Sequence, residues 1–449
     1  MTKNILQEFK TWLEHNAIED VECATCDMAG SVCGKTLPVD EFLDGLMGGG
    51  VRLPESFFGL TVTGDFCFGG VLDDAEPDIT FIPDPKTLRP VPWCVDKTAI
   101  VLGDYVDHGG APVSFAPRRV LQRVLELYES AGWTPIVAPE FEFYLVSKPK
   151  DFHSDFQPPA GLAGLGQGAL HPYGLEAAGS VEDLLNDLYT TCEAQNIPIG
   201  TLTQEAGPGQ YELNLSHRAA LEAADMAFLF KRTLHRVALD HGLIATFMAK
   251  PYEHSYGSAM HLHQNVLDAK RGANLFSLDG ADMLRAHIAG LQHYLPRAMP
   301  LLAPYPNSYR RFAPGLSCPV NFHWGEDNRS VGLRVPKSNA KSRRIENRVP
   351  GADVNPYLVI AASLGCGYLG MKEGLAPDEP VMGGAYESDS QALPMSLDQA
   401  LTGFAGDDKM KHLFSAEFVK LFSGIKRYEL DEFNRLITPW EREHLLMKV

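Results

Sequence analysis

Four short segments alternate strictly between apolar and polar residues, and this alternation restricts the fold more than any other feature of the chain. In a strand, successive side chains point to opposite faces. In PEFEFY, Glu140 and Glu142 therefore share one face and Phe141 and Phe143 the other. In GPGQYELN, Glu212 and Asn214 oppose Tyr211 and Leu213, with Glu205 seven residues upstream of Glu212. In SAMHLHQN, His261 and His263 share a face with Met260 and Leu262 behind them, and in KSRRIENR, Arg344, Glu346 and Arg348 share a face. Any one of these alone suits a half-exposed strand in a two-sided antiparallel sheet. Taken together, their apolar backs imply one packed core, so the polar fronts either converge on a common hollow or all face water.

A convergent hollow has definite chemistry. Neighbouring carboxylates repel unless a cation neutralises them, and a carboxylate and imidazole lining suits Mg²⁺ or Mn²⁺. Arginines in the same hollow supply charge for phosphate or carboxylate. The one segment that looks like a phosphate loop, GSVCGKT at residues 30–36, has three residues between its glycines. That loop needs four so that successive N–H groups curl round a phosphate, and the segment reads as a turn. The expectation is nucleotide chemistry carried on a β-sheet, with divalent ions clamping a triphosphate and an arginine stabilising an acyl phosphate.

The rest of the chain predicts an α+β protein. Residues 20–84 read as short strands broken by glycine and proline, a small β-rich domain. A helix then opens at Pro117, with Val120, Val124 and Leu127 on one face and Gly132 past its end. The boundary is expected just before it, giving an N-terminal domain at 1–111 and a second at 112–449. Residues 157–174, rich in Gly, Pro and Ala, read as a long functional loop. Residues 222–242 and 355–371 read as helices, the second apolar on most sides and so buried. The C-terminal stretch reads as amphipathic helices.

At 449 residues the chain exceeds one ordinary core. No stretch reaches the roughly 18 apolar residues of a membrane span, and the start has no signal-peptide apolar block, so the cytoplasm is the expected compartment. A net charge of −18 argues against a nucleic-acid partner. Of the eight cysteines only Cys23 and Cys26 form a CxxC, which reads as packing within a strand.

The strings GPGQYELN, ATFMAKPYEHSYGSAMHLH, NSYRRFAPG, NRSVGLRVP and RRIENRVPGADVNPYLVIAA resemble, in order, those of the glutamine synthetase superfamily, and within it the bacterial γ-glutamylpolyamine synthetases (glutamate–putrescine ligases). The resemblance covers about residues 139 to 365 strongly and both ends more weakly. It implies an N-terminal β-grasp domain and a catalytic domain with a curved antiparallel sheet and surrounding helices. It also implies a homo-oligomer, a hexameric ring or stacked double ring with active sites between subunits. The implied reaction joins L-glutamate to an amine: its γ-carboxylate attacks the γ-phosphate of ATP, and the amine displaces phosphate from γ-glutamyl phosphate. Two or more Mg²⁺ or Mn²⁺ ions per site serve as cofactors.

Carried over by motif, Glu142, Glu205 and Glu212 resemble the ligands of one metal, and Glu140, His261 and Glu346 those of a second. His263, Arg334, Arg344 and Asn265 match nucleotide-binding positions, and Lys341 falls on the loop before Arg344. Gly257, Arg311 and Arg348 match glutamate-holding positions, and Tyr173 a tyrosine near the amine. Arg329 matches the catalytic arginine that stabilises the phosphoryl group; Glu212 and Arg348 are the other expected catalytic residues. Ammonia-using members carry a glutamate in a PGxEAP flap, where this chain has PGLSCP and Ser317. Their DGSS-like acidic string also has no clear counterpart around residues 53–56. Loss of both acids removes a negative cage for ammonium, so the expected acceptor is an organic amine such as a polyamine. Phe57, Phe58 and Tyr173 are candidate walls for its chain. Glutamine synthetase using ammonia, and a non-catalytic ligand-binding ring, are the competing readings.

Overall fold

The computed structural model describes residues 3–149, 151, 156–159, 172–175, 179–277, 281–313, 317–387 and 392–449. Most of the loop expected at 157–174, and the flap residues 314–316, lie outside them.

In chain order the elements begin with α1 (Lys3–His15), β1 (Asp20–Cys26), β2 (Val32–Pro38), α2 (Val39–Gly48), β3 (Val51–Pro54), β4 (Asp78–Pro83), β5 (Arg89–Pro90) and β6 (Thr98–Val106). The strands form a six-stranded sheet of order β2-β1-β6-β4-β3 with β5 on β6. Cys23 and Cys26 sit on β1, both buried and both free, so the CxxC is packing. Only residues 30 and 31 of GSVCGKT lie before β2; the rest is strand, because Val32 to Pro38 pairs residue for residue with β1. The expected turn is thus shorter than the motif.

Helix α3 (Pro117–Ser130) opens with proline at its first turn, where the missing N–H costs nothing, and buries Val120, Leu121, Val124 and Tyr128. The long strand β7 (Trp133–Ser147) follows, then α4 (Glu182–Ala194), β8 (Ile199–Gln204), β9 (Gln210–Leu215), β10 (Arg218–Ala219), α5 (Ala220–Asp240), β11 (Leu243–Thr246), β12 (Met260–Asp268), α6 (Ala281–Tyr294) and α7 (Pro306–Tyr309). Strands β13 (Trp324–Glu326), β14 (Leu333–Val335) and β15 (Ile345–Asn347) precede α8 (Pro356–Glu373) and the C-terminal helices α9 (Leu397–Gly406), α10 (Asp408–Phe414), α11 (Ala416–Asn434) and α12 (Pro439–Leu445). The second sheet runs β13-β14-β15-β12-β7-β9-β8, with β10 and β11 also on β7. It is a curved sheet, antiparallel except for the parallel pair β13 and β14 at its edge.

Helices cover the apolar back of this sheet. Helix α8 is buried along nearly its whole length, capped by the Asn355 side chain and stopped by Gly374 in the left-handed conformation. Its contact with α6 is backbone to backbone: a Cβ on Gly370 would lie 2.2 Å from the Ala286 carbonyl oxygen, and one on Gly290 would lie 2.3 Å from that of Cys366. The two sheets are tied through Arg118 on α3. Its guanidinium, 4% exposed, reaches Asp84 (2.8 Å), Asp104 (2.6 Å) and Asp225 (3.0 Å), the last also held by the Tyr357 hydroxyl.

Candidate active site

The alternating segments fall where their pattern predicts. Phe141, Phe143, Tyr211, Met260 and Leu262 are buried in the core, while Glu140, Glu142, Glu212 and His263 stand half-buried on the opposite face. Register brings the polar faces together. His261 pairs with Glu140, Glu142 with Glu212, and His263 and Arg334 both with Glu346. Four strands that are separate in sequence thus set their ligand-bearing residues side by side.

Glu140 is the hub. His261 Nδ1 lies 2.7 Å from Glu140 Oε1 and His263 Nε2 lies 3.2 Å from Glu140 Oε2. Arg344 Nε donates to His263 Nδ1 at 3.1 Å, which places the His263 proton on Nε2, facing Glu140. Burial raises the Glu140 pKa, but the hydrogen bonds from the two histidines outweigh it and hold the carboxyl well below the usual range. Glu346 is 1% exposed and accepts from Arg334 Nη1 (2.7 Å) and Arg348 Nη1 (2.6 Å). Burial again opposes ionisation, and Arg348 with the two histidines wins, bringing Glu346 to about 2.

The carboxylates on the other side have weaker support: Arg348 and the Ala206 N–H favour ionised Glu205, and Asn214 donates to Glu212 at 3.4 Å, but neither offsets burial and the neighbouring acids. Burial first, then the charges of Glu140, Glu142 and Glu205, pushes Glu212 up to about 9. Burial, Glu142 and Glu140 push Glu205 up to about 7. Acids in this state hold protons until a cation replaces them.

Among the described residues, two groups have ligand atoms within 4.8 Å of one another: Glu140, Glu212 and His261, and Glu140, His263 and Glu346. These oxygen and nitrogen donors fit a divalent ion. The grouping differs from the one implied by resemblance, for His263 joins a cluster and Glu140 belongs to both. Glu142 and Glu205 stand outside the tight groups; one Glu142 oxygen accepts from the Ala259 N–H at 2.7 Å and the other lies 3.8 Å from His261. The Nε atoms of Arg334 and Arg348 are buried without a partner, a further provision for anions.

Beside the cluster opens a cavity of about 720 Å³ lined by Glu140, His263, Asn265, Lys341 and Arg344, so most expected nucleotide residues share one wall. Arg334 is turned instead to Glu346 and Asp327. The cavity also takes Asn214, from the polar front of β9, and Ser216, His217 and Arg218, which the sequence pattern misses because they fall past the end of that strand's alternation. Asn274, likewise missed, donates to the carbonyls of Ala340, Lys341 and Arg343 and so holds the loop before Arg344.

A Cβ on Gly257 would come within 2.5 Å of Arg311 Cγ and 2.7 Å of the Ala249 carbonyl oxygen, so only glycine fits there. Arg311 is buried and donates to the carbonyls of Val349 (2.7 Å) and Arg348 (2.9 Å), shaping the Arg348 segment from behind. Ser317, at φ 57°, offers its carbonyl to Arg348 Nη2 at 3.5 Å. Arg329 is exposed between β13 and β14. Tyr173 is tied by its N–H to the Gln204 carbonyl, but its side chain is 70% exposed. Phe57 and Phe58 are buried against Tyr105, and Phe58 also against Phe115, as core aromatics.

Residues 114–445 match the family model described as glutamine synthetase, catalytic domain. The chain is 35% identical to gamma-glutamylputrescine synthetase PuuA of Escherichia coli K12, over 98% of this chain and 94% of that one. It is 32% identical to a glutamate–isopropylamine ligase of a Pseudomonas species, over 98% and 97%. A solved structure titled apo GmaS without ligand superposes with a TM-score of 0.86 at 26% identity, covering 97% of this chain and 98% of that one. No helix among the described residues is long and apolar enough to cross a membrane. The chain belongs to the glutamine synthetase family.

Proposed function

We propose that the protein is an ATP-dependent ligase that forms a γ-glutamyl amide from L-glutamate and an organic primary amine. The observation that carries this reading is the hollow in which Glu205 and Glu212 are driven toward their neutral forms while Arg334 and Arg348 keep buried, unpartnered donors. Such a site is incomplete without cations and anions together. Support for the amine comes from the relatives whose names specify putrescine and isopropylamine, and from Ser317 at the place of the ammonium-binding glutamate.

In this reading Glu142, Glu205, Glu212, Glu140, His261 and Glu346 hold two or more Mg²⁺ or Mn²⁺ ions, with His263 reaching the second. Those ions would neutralise triphosphate charge. His263, Asn265, Arg334 and Arg344 bind ATP, and Gly257, Arg311 and Arg348 bind or frame glutamate. A γ-carboxylate oxygen of glutamate attacks the γ-phosphorus as its bond to ADP breaks, and Arg329 stabilises the charge on the transferring group. The amine nitrogen then attacks the acyl carbon and phosphate leaves, the amine proton passing to solvent or to a flap residue. Tyr173 and Ser317 flank the amine's approach. We further read residues 1–111 as the N-terminal domain and 112–449 as the catalytic domain. The chain works in the cytoplasm as a ring whose sites lie between subunits.

The test is phosphate release with glutamate, ATP and Mg²⁺ while the acceptor is varied among ammonia, putrescine, isopropylamine, ethanolamine and an aromatic amine. An organic amine is expected to give the highest rate. A highest rate with ammonia sinks the proposed acceptor class, and no release even with hydroxylamine sinks the ligase reading in favour of a non-catalytic ring. Ser317→Glu is expected to raise the ammonia rate relative to the organic amines; an unchanged ratio removes Ser317 from the argument.

A further inference from the structure

The loop joining β13 to β14 carries Arg329 exposed at its tip, yet the residues on either side are fastened from outside. The Asn328 side-chain oxygen accepts from the Ser330 N–H (2.9 Å) and hydroxyl (2.7 Å). Its amide nitrogen donates to the carbonyls of Val381 (3.1 Å) and Gly383 (2.8 Å). Ser330 Oγ accepts from the Ala385 N–H at 3.0 Å, and Asn321 donates to the Ala385 carbonyl at 2.9 Å. The Val381 N–H donates to the Trp324 carbonyl at 2.8 Å. Residues 381–385 therefore form a strap along the loop, more than fifty residues away in sequence.

The strap has little apolar reason to be there. Met382 is 89% exposed, and Gly383 and Gly384 are exposed as well. Only Ala385 is buried, at the point where Asn321 and Ser330 hold both of its backbone polar groups. The approach is also close, for a Cβ on Gly325 would lie 2.9 Å from the Val381 carbonyl oxygen. A segment held by directional bonds rather than by burial fixes geometry, since hydrogen bonds constrain orientation where apolar contact does not. What it fixes is the backbone on both sides of Arg329.

We propose that Asn328 and Ser330 are positioning residues for Arg329, clamping its loop to the 381–385 strap so that the guanidinium is aimed at the transferring phosphoryl group. The inference rests on the role given to Arg329 in the proposed ligase reaction. Misplacing a charge-stabilising group by about 1 Å can cost on the order of a hundredfold in rate without loosening substrate binding.

The experiment compares kcat and KM of the full-length protein with Asn328→Ala, Ser330→Ala, Arg329→Ala and the double variant Asn328→Ala with Arg329→Ala, using the best acceptor amine. Asn328→Ala is expected to lower kcat about tenfold or more while KM for ATP and glutamate stays within about threefold. In the Arg329→Ala background the same change is expected to alter kcat by less than about twofold, because the clamp acts only through that arginine. An equal cost in both backgrounds, or an unchanged kcat in the single variant, overturns the inference. Should Asn328→Ala fail to fold, Asn321→Ala releases the strap at one carbonyl and is read against the same two criteria. Wild-type turnover is measured first: its absence overturns the ligase reading together with this inference, whereas additivity in an active enzyme overturns this inference alone.

Discussion

Glu212 and Glu346 stand in one hollow and are driven in opposite directions, which makes the charge state of the site depend on pH and on bound cations together. Glu346, brought to about 2 by Arg348 and the histidines against its own burial, contributes stability that is present above its unfolded value near 4.3 and lost as pH falls toward 2. Glu205 and Glu212, raised to about 7 and about 9, behave the other way. Their contribution is fully present below the unfolded value and is lost as pH rises through 7 and 9, because the native state must then carry unpaired buried charge. A divalent ion held by these acids, as proposed above, would remove that cost by taking the place of their protons. The metal-free protein is therefore expected to show a lower thermal midpoint at pH 8.5 than at pH 6, with the difference shrinking or reversing in excess Mg²⁺. Melting curves with EDTA and with Mg²⁺ at both pH values check this; a midpoint that rises with pH in EDTA contradicts the assignment.

At the scale of elements, the sheet's polar face is only as well placed as the helices that support its back. Helices α6 and α8 meet with no side chains between them at Gly290 and Gly370, and each reaches the sheet through a buried polar contact, His287 with Gln264 on β12 and Ser363 with Asn347 on β15. A methyl group at Gly370 would collide with the Ala286 carbonyl oxygen and the Gly290 backbone, and neither can swing aside as a side chain would. Gly370→Ala is accordingly expected to destabilise by about 2 kcal/mol or more, the range for overpacking against fixed backbone. The helical conformation itself would gain from alanine, so an unchanged denaturation midpoint in urea would show that the helices separate freely. This contact was hidden in the sequence: glycine within an apolar helical run signals a weak helix as readily as a close crossing. The register that groups Glu140 with both histidines was hidden too, because alternation fixes which face a residue takes but not its partner across the sheet.

For the molecule as a whole, Arg118 is a link between the six-stranded and nine-stranded sheets. It binds Asp84 and Asp104 from the first and Asp225 on α5 behind the second. Replacing a buried partner strands the remaining charges, which costs about 3–5 kcal/mol when they are fully enclosed and less here because Asp84 and Asp104 are partly exposed, at 27% and 26%. Arg118→Met is expected to lower the unfolding midpoint and to split a single transition into two, with the six-stranded sheet lost first. Near- and far-ultraviolet dichroism in a denaturant titration, compared with wild type, would reveal the split; coincident single transitions in both proteins would show that other contacts carry the coupling.

The sequence by itself determined which residues could face a site. Period-two alternation in β7, β9 and β12 named Glu140, Glu142, Glu212, His261 and His263 as polar fronts on an apolar core, and the Pro117 signal and the apolar run at 355–371 placed α3 and α8. These are local properties, written in neighbouring residues and readable without knowing what packs against them. Tertiary structure alone decided which polar residues touch, since strand order in the sheet does not follow strand order in the chain. It set Glu140 between His261 and His263, drew His263 into the acidic cluster, and buried Phe57 and Phe58 in the first sheet's core. It also laid residues 381–385 along the Arg329 loop. Each of these depends on a pairing across tens to hundreds of residues, where the competition among possible partners is settled by the packing of the whole chain and not by any segment's own pattern.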